Sequence, residues 1–494
     1  MNAPLRRVTV VAIVLFSLLF LNLNWVQFVQ YDYYKNNDYN NRVTVEEYSR
    51  QRGSILAGSQ TLAESVETDD EELKYQRQYP AGDPYAHLTG YQSLVVGSGG
   101  IEDIENDWLS GSDPRLFVDR LSEMITGDQV AGGNVILSVD PKVQERAYEL
   151  LGDSGSEVAA AVVLDPRTGQ ILAQVSTPSY DPNPLASHDI DEANQTWTDL
   201  TADPANPVLD RSVNDVFPPG STMKVVVAAA ALEAGMTPET MVPSGNEYIP
   251  PGSENNPIRN SNDQCPEAEL PLQEAFARSC NTTFAKLCVS DFDGLVDDGA
   301  TAFADMANRF GFETELQTPL TVTASRLGDL SEKSYLARAC FGQHEVRETP
   351  MQNAMIAAAI ANGGDLMAPQ LIKELQAPDK TTVEKVGSDR MASPVSSTVA
   401  SGLQQMMERV VTAGTGGNAA VNGIVVAGKT GTAEHGTDEN GNPLPEHGWF
   451  TGYAMDDNGD PAVAVSVLLT DAGDGGSGNA TGIAGELIRT ALGK

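Results

Sequence analysis

From Val225 to Leu232 the chain reads VVVAAAAL, with no polar residue on any face. A helix that is apolar all round has to be enclosed by other layers. That requirement implies a large layered domain around this segment, and 494 residues, enough for two or three domains, supply the material. The segment opens on a lysine, Lys224, and the turn before it, VFPPGSTM, carries a hydroxyl three positions earlier at Ser221.

Serine and lysine at i and i+3 share a helix face. Pro218, Pro219 and Gly220 close the preceding loop, so Ser221 falls where a helix leaves backbone N–H groups unpaired and presents the positive end of its dipole. Such groups can hold an oxyanion. The apolar run desolvates Lys224 and weakens its hold on a proton, which is what a weak hydroxyl nucleophile needs from a nearby base. The same residues also suit a serine N-cap beside a lysine whose stem lies on apolar surface. None of the histidines, His87, His188, His344, His435 and His447, accompanies a Gly-x-Ser-x-Gly elbow, so a Ser-His-Asp hydrolase has little support.

Composition narrows the classes further. With 68 acidic and 31 basic residues the net charge is −37, which excludes a nucleic-acid partner and implies a solvated, self-repelling surface. Cys265, Cys280, Cys288 and Cys340 include no Cys-x-x-Cys pair, so no zinc site, metal or cofactor is expected. Residues 6–30 join Arg6 and Arg7 to an apolar run, Val8–Leu21, and a mixed tail through Trp25. This reads as an uncleaved single span with its N-terminus in the cytoplasm. The rest of the chain then lies outside the membrane, where disulfides are permitted.

Residues 31–60 read as a polar stalk leading into a small, irregular domain that ends near residue 135. In that domain a short apolar run between glycines (52–58) reads as a hairpin strand, and 67–73 as an acidic exposed turn or helix start. Residues 133–151 suggest a strand, a turn at Asp140-Pro141 and an amphipathic helix with Val143, Ala147 and Leu150 inward. Residues 157–176 are the clearest hairpin, turning at DPRTGQ. Helices over 270–292, 395–417 and 481–492, strands over 423–434, 447–455 and 461–473, and an extended segment over 364–378 complete an α/β sheet packed by helices, with a helical insert between 230 and 420.

Two more short motifs carry chemistry. Ser279-Cys280-Asn281 interrupts the helical segment 270–292; in isolation it is also an ordinary capped helix break. Lys429-Thr430-Gly431 occurs once, at the end of an apolar strand. There Lys429, Thr430 and Thr432 can bind a carboxylate and Gly431 can admit a substrate backbone, although a strand-end turn would look the same. Ser-x-x-Lys, then Ser-x-Asn 58 residues on, then Lys-Thr-Gly 150 beyond that, is the ordered signature of penicillin-binding proteins and class A β-lactamases.

The chain resembles a class B penicillin-binding protein, a monofunctional peptidoglycan D,D-transpeptidase, and within that class the actinobacterial A-type branch. The likeness rests on RGSILA (52–57), YPAGDPYAHLTGY (79–91), GIEDIENDWLSG (100–111), DPRTGQILAQVSTPSYDPN (165–183), PPGSTMK (218–224), GKTGTAE (428–434) and HGWFTGYA (447–454). It implies an anchor (1–30), a β-rich non-catalytic pedestal (31–135) and a transpeptidase domain (136–494) with a central antiparallel sheet, flanking helices and an all-helical subdomain. It further implies Ser221 as acylated nucleophile, Lys224 as base, and Ser279 and Asn281 as proton relay and amide holder. Lys429, Thr430 and Thr432 would hold a terminal D-alanine carboxylate, and the N–H groups of Ser221 and Thr432 would form the oxyanion hole.

The implied partners are D-Ala-D-Ala stem peptides, β-lactam antibiotics, a membrane glycosyltransferase, and division or elongation proteins. The middle motif residue, Cys280, is an uncommon choice. Four cysteines allow three pairings, and a Cys265–Cys280 disulfide that pins the loop is the expected one. The alternatives are a serine β-lactamase, a D,D-carboxypeptidase, a β-lactam sensor and a non-catalytic division scaffold. A β-lactamase needs a second base, commonly in Glu-x-x-Leu-Asn, and Leu-Asn occurs here only at 21–24. A sensor needs more spans or a cytoplasmic domain, and only about seven residues precede the apolar run.

Overall fold

The computed structural model of the chain describes residues 3–30, 33–34, 47–117, 131–438 and 440–494. Helix α1 (Ala3–Asn24) runs on into a π-turn at Trp25–Val29. The helix over residues 6–29 is long and apolar enough to cross a membrane, and none of its apolar window is buried against the protein. Of the stalk expected over 31–60, residues 31–32 and 35–46 lie outside the described residues, whereas 55–57 and 60 already belong to strands of the pedestal.

The pedestal is built on β1 (Ile55–Ala57), β2 (Gln60–Glu67) and β3 (Tyr75–Gln78), with β1–β2 and β2–β3 antiparallel and the acidic stretch forming the turn between the last two. Buried Glu102 takes Arg52 Nε at 2.6 Å and Arg77 Nε at 2.5 Å. Arg52 also donates to Asn106 Oδ1 (2.7 Å) and Arg77 to the Gly53 carbonyl (2.7 Å). One carboxylate thereby ties three stretches of an irregular domain together through charge-assisted bonds.

Strand β4 (Asn134–Leu137) pairs in parallel with β1. Helix α2 (Pro141–Gly152) follows, capped by the Asp140 side chain accepting from Lys142 N. It buries Val143, Gln144, Ala147 and Leu151, so Leu151 takes the place expected of Leu150. The helix is rotated because Gln144 is drawn inward: its Nε2 donates to Gln174 O at 2.9 Å and its Oε1 accepts from Gln174 N at 2.9 Å.

The remaining principal elements are β5 (Ala159–Leu164), β6 (Ile171–Thr177), α3 (Lys224–Glu233), α4 (Leu272–Ala277), α5 (Asn281–Val289), α6 (Pro350–Ala361), β7 (Ile372–Gln376), β8 (Thr382–Lys385), α7 (Ser397–Ala413), β9 (Val426–Ala433), β10 (His447–Met455), β11 (Pro461–Leu469) and α8 (Gly476–Ala491). Five of them form an antiparallel sheet in the order β9-β10-β11-β5-β6. Alternate strand residues face opposite ways. Ala161, Val163, Val465 and Val467 pack against α2 and α8; Val162, Leu164 and Ala464 pack with α6 on the other side. Every residue of α6 and nine of the ten of α3 are buried, as enclosed apolar helices must be.

Helices dominate 230–420, but four two-stranded ribbons interrupt them, and α6 belongs to the central sheet. Strands β7 and β8 leave this segment altogether. They complete a six-stranded sheet, β8-β7-β4-β1-β2-β3, so the pedestal and the catalytic region share one sheet and the boundary expected at 135/136 runs through β4.

Glu102→Ala would leave the buried Arg77 guanidinium without its counter-charge and Arg52 with only the 3.4 Å contact to Glu47. The expected loss is roughly 3–5 kcal/mol, read as a lower denaturant midpoint at unchanged m-value.

Candidate active site

The turn that carries Ser221 is a single 3₁₀ stretch, Gly220–Met223, leading directly into α3. Gly220 has φ +56° and lies so close to β9 that a Cβ there would sit 2.2 Å from the Thr432 carbonyl oxygen. Its N–H donates to Gly342 O at 2.9 Å, and Trp449 Nε1 donates to Pro218 O at 3.0 Å. The turn that carries Ser221 is therefore pressed onto the strand that carries Lys429.

Helix α4 ends with Cys280 N donating to Ala275 O and Ser279 N donating to Phe276 O. This is a Schellman closure, in which the left-handed position usually belongs to glycine. Ser279 occupies it at φ +61°, which turns its hydroxyl inward, and α5 starts two residues later at Asn281. Cys280 is bonded to Cys265, and a second disulfide, Cys288–Cys340, anchors α5 from its far end. The first is the pairing expected from the sequence; the second was not singled out there.

These elements converge on two buried amines. Lys224 Nζ lies 2.9 Å from Ser221 Oγ, 2.7 Å from Ser279 O, 3.1 Å from Ser279 Oγ and 2.7 Å from Asn281 Oδ1. Asn281 Nδ2 donates to Arg259 O at 3.0 Å, which fixes its amide with the oxygen toward the lysine. Lys429 Nζ donates to Ser279 Oγ at 2.9 Å and to Thr430 O at 3.0 Å. One serine hydroxyl thus bridges the two lysines.

No carboxylate among the described residues compensates either amine. Burial, and secondly the charge of Lys429, push Lys224 well below the ordinary lysine range. Burial alone lowers Lys429 to about 7. Two unpaired buried ammoniums would cost several kcal/mol each, and the lowering is larger at Lys224, so Lys429 keeps a proton more readily than Lys224. Donor counting is compatible with a neutral Lys224. Two of the four partners of Lys224, Ser279 O and Asn281 Oδ1, can only accept, and they use the two N–H groups of a neutral amine. Its lone pair is then available to the Ser221 hydroxyl.

Thr432 is exposed on β9, while Thr430 is buried with its Oγ1 2.6 Å from Thr415 Oγ1. At Gly431 a Cβ would meet Pro219 O and Trp449 Cβ, both at 2.8 Å, so the glycine lets the Ser221 turn pack against β9. Thr415 and Glu348, whose carboxyl touches Thr222, escaped the sequence reading because each sits in a stretch with no motif of its own; Trp449 lies within HGWFTGYA, but nothing in that string records its bond to Pro218 O.

His435, His447 and Asp471, within 4.8 Å of one another, are residue types that bind metals. The imidazoles stack at 3.8 Å and 14°, so their in-plane lone pairs run nearly parallel and do not converge on a common ion. Asp471 Oδ1 and Pro445 O face His435 Nε2, and Asp471 N donates to His447 Nδ1. Internal hydrogen bonds thus account for the cluster.

Residues 159–489 match the penicillin binding protein transpeptidase domain, and residues 52–135 match the penicillin binding protein A dimerisation domain. Over 96% of its length the chain is 41% identical to the peptidoglycan D,D-transpeptidase PbpA of Mycolicibacterium smegmatis and 39% identical to that of Mycobacterium tuberculosis, covering 95% of each relative. The crystal structure of PBPA from M. tuberculosis superposes with a TM-score of 0.84 at 38% identity, over 90% of this chain and 100% of that one. Its ceftriaxone acyl-enzyme complex superposes with the same score and identity over 91% of this chain.

Two measurements check this geometry. Alkylation of the unreduced, denatured protein should find no free thiol, and four after reduction. The second-order rate of penicillin acylation should fall as pH rises through about 7, where Lys429 loses its proton. In Lys429→Ala that step should vanish. The acid limb should move to higher pH, because Lys224 is freed from the repulsion that helps keep it neutral.

Proposed function

The chain belongs to the penicillin-binding protein transpeptidase family, and on that footing we propose that it cross-links peptidoglycan as a serine D,D-transpeptidase with Ser221 as the acylated nucleophile. The observation that carries the assignment of Ser221 is the buried Lys224 Nζ, 2.9 Å from Ser221 Oγ with no carboxylate beside it among the described residues.

Lys224 takes the Ser221 proton as the oxygen attacks the carbonyl of the penultimate D-alanine. The backbone N–H groups of Ser221 and Thr432 receive the developing oxyanion. Ser279, in contact with both lysines, hands the proton to the departing D-alanine amine. An acceptor amine from a second stem peptide then attacks the ester, loses its proton by the reverse route and restores Ser221. Lys429 uses two of its three N–H groups on Ser279 Oγ and Thr430 O, which leaves one for the substrate carboxylate beside Thr432 and the Thr430–Thr415 hydroxyl pair.

A β-lactam enters by the same attack and stays as the acyl-enzyme. A carboxypeptidase or β-lactamase would need water in place of the acceptor amine, and a sensor or scaffold would have no need of the Lys224–Ser279–Lys429 path. The protein is anchored to the membrane by α1, with Arg6 and Arg7 on the cytoplasmic side and the catalytic region outside. The partner that would supply its donor strands is a membrane glycosyltransferase, in division or elongation.

Labelling with a fluorescent penicillin, followed by mapping of the modified peptide, tests the assignment. Label is expected on Ser221, absent from Ser221→Ala and released slowly; Lys224→Ala should acylate roughly 10²–10⁴-fold more slowly. Equal rates for Lys224→Ala and wild type at neutral pH would remove the lysine from its role. Rapid turnover of bound penicillin would make the protein a β-lactamase.

A further inference from the structure

Behind the nucleophile turn, on the side away from Lys224, lies an acid that the reaction as described does not use. Glu348 is 1% exposed, and its backbone is bridged to Phe217 by reciprocal N–H···O bonds of 2.9 Å. It immediately precedes Thr349, the N-cap of the buried helix α6, so its backbone is fixed from both sides. Its Oε1 lies 3.3 Å from Thr222 Oγ1, one residue past Ser221, and its Oε2 is buried with no partner.

Thr222 Oγ1 also lies 2.9 Å from Pro219 O. A hydroxyl has one hydrogen, and the proline carbonyl can only accept, so the shorter contact takes it. The contact with Glu348 then requires a hydrogen on the carboxyl. The chain of donors runs from the Glu348 O–H to Thr222 Oγ1 and from the Thr222 O–H to Pro219 O, and it spans the turn that presents Ser221.

No cation pairs with this carboxyl among the described residues. Arg347 turns Nη1 to His344 O and Val346 O, and Arg326 meets Arg347 only through backbone. Lys224 and Lys429 face Ser279, and His447 packs its ring on Phe217. Burial raises the acid to about 8, consistent with the donor count.

We propose that Glu348 is a positioning residue for acylation: as the neutral acid it donates to Thr222 and so holds the Pro219–Met223 turn, and with it the Ser221 hydroxyl, in reach of Lys224. Ionisation would reverse the chain. A buried carboxylate is the stronger acceptor and would draw the Thr222 hydrogen away from Pro219 O, releasing the turn. The inference rests on Ser221 being the acylated residue; the failure of that reading would appear separately, as penicillin label retained in Ser221→Ala.

The test is the rate of acylation of the full-length protein at saturating fluorescent penicillin, from neutral to alkaline pH, in wild type, Glu348→Gln and Thr222→Val. In wild type the saturated rate should fall above pH about 8, approaching tenfold per pH unit. Glu348→Gln keeps a neutral donor of the same shape; it should match wild type at neutral pH and lack that fall. Thr222→Val cuts the chain at its other end and should acylate several-fold more slowly at neutral pH, without a step near 8. As a second readout, the thermal midpoint of wild type should drop relative to Glu348→Gln as pH rises toward about 8, because the unfolded chain ionises this carboxyl first and the folded one pays for holding it neutral. The same alkaline fall in Glu348→Gln as in wild type, or an unaltered rate in Thr222→Val, overturns the proposal.

Discussion

Two amines buried without a carboxylate are the constraint from which the rest of the structure follows. A carboxylate paired with Lys224 would hold it as the ammonium. The fold therefore supplies carbonyls and hydroxyls in place of anions around Lys224 and keeps water out with apolar layers. Aromatic faces take part as well: Phe284 lies 5.8 Å from Lys224 Nζ and Phe276 lies 5.7 Å from Lys429 Nζ. These faces can stabilise residual positive charge without fixing a proton as a carboxylate would.

The arrangement also explains why the site is drawn from separated stretches of chain. Ser221 stands at the mouth of α3, Ser279 at the left-handed close of α4, and Lys429 on β9, and each is a place where the backbone has no freedom to drift. Gly220 and Gly431 let the Ser221 turn and β9 approach more closely than any side chain would permit. The two disulfides hold α5 at both ends, so Asn281 and the Ser279 carbonyl reach Lys224 from a rigid support.

Much of this was legible in the sequence. The spacing of Ser221 and Lys224 fixes a shared face, the apolar run fixes burial, and the hairpin at 157–176 and the last three strands announce the central sheet. The helix break at Ser279 was visible too, although its Schellman form was not, because serine is an unusual residue for that position. What the sequence hid was long-range. Gln144 rotates α2 through a bond to a strand thirty residues away, and nothing in the pattern of α2 itself records it. Strand β7 reads locally as an extended segment in a helical region, and its partner β4 lies more than two hundred residues earlier; β8, which pairs only with β7, was not singled out. Glu348 and Thr415 act through single contacts to motif residues, which leave no periodic trace.

The shared sheet has a consequence for how the chain is made. While the first third of the protein emerges from the ribosome, β4 can pair with β1, but its other edge stays open until residues 372–376 arrive. An open strand edge invites pairing with another chain, and closing it requires a contact of high sequence separation, which is slow. The N-terminal domain therefore cannot finish folding before most of the catalytic region has been synthesised. A nascent chain halted early would expose an adhesive edge, and completion of the sheet reports that nearly four-fifths of the polypeptide is in place.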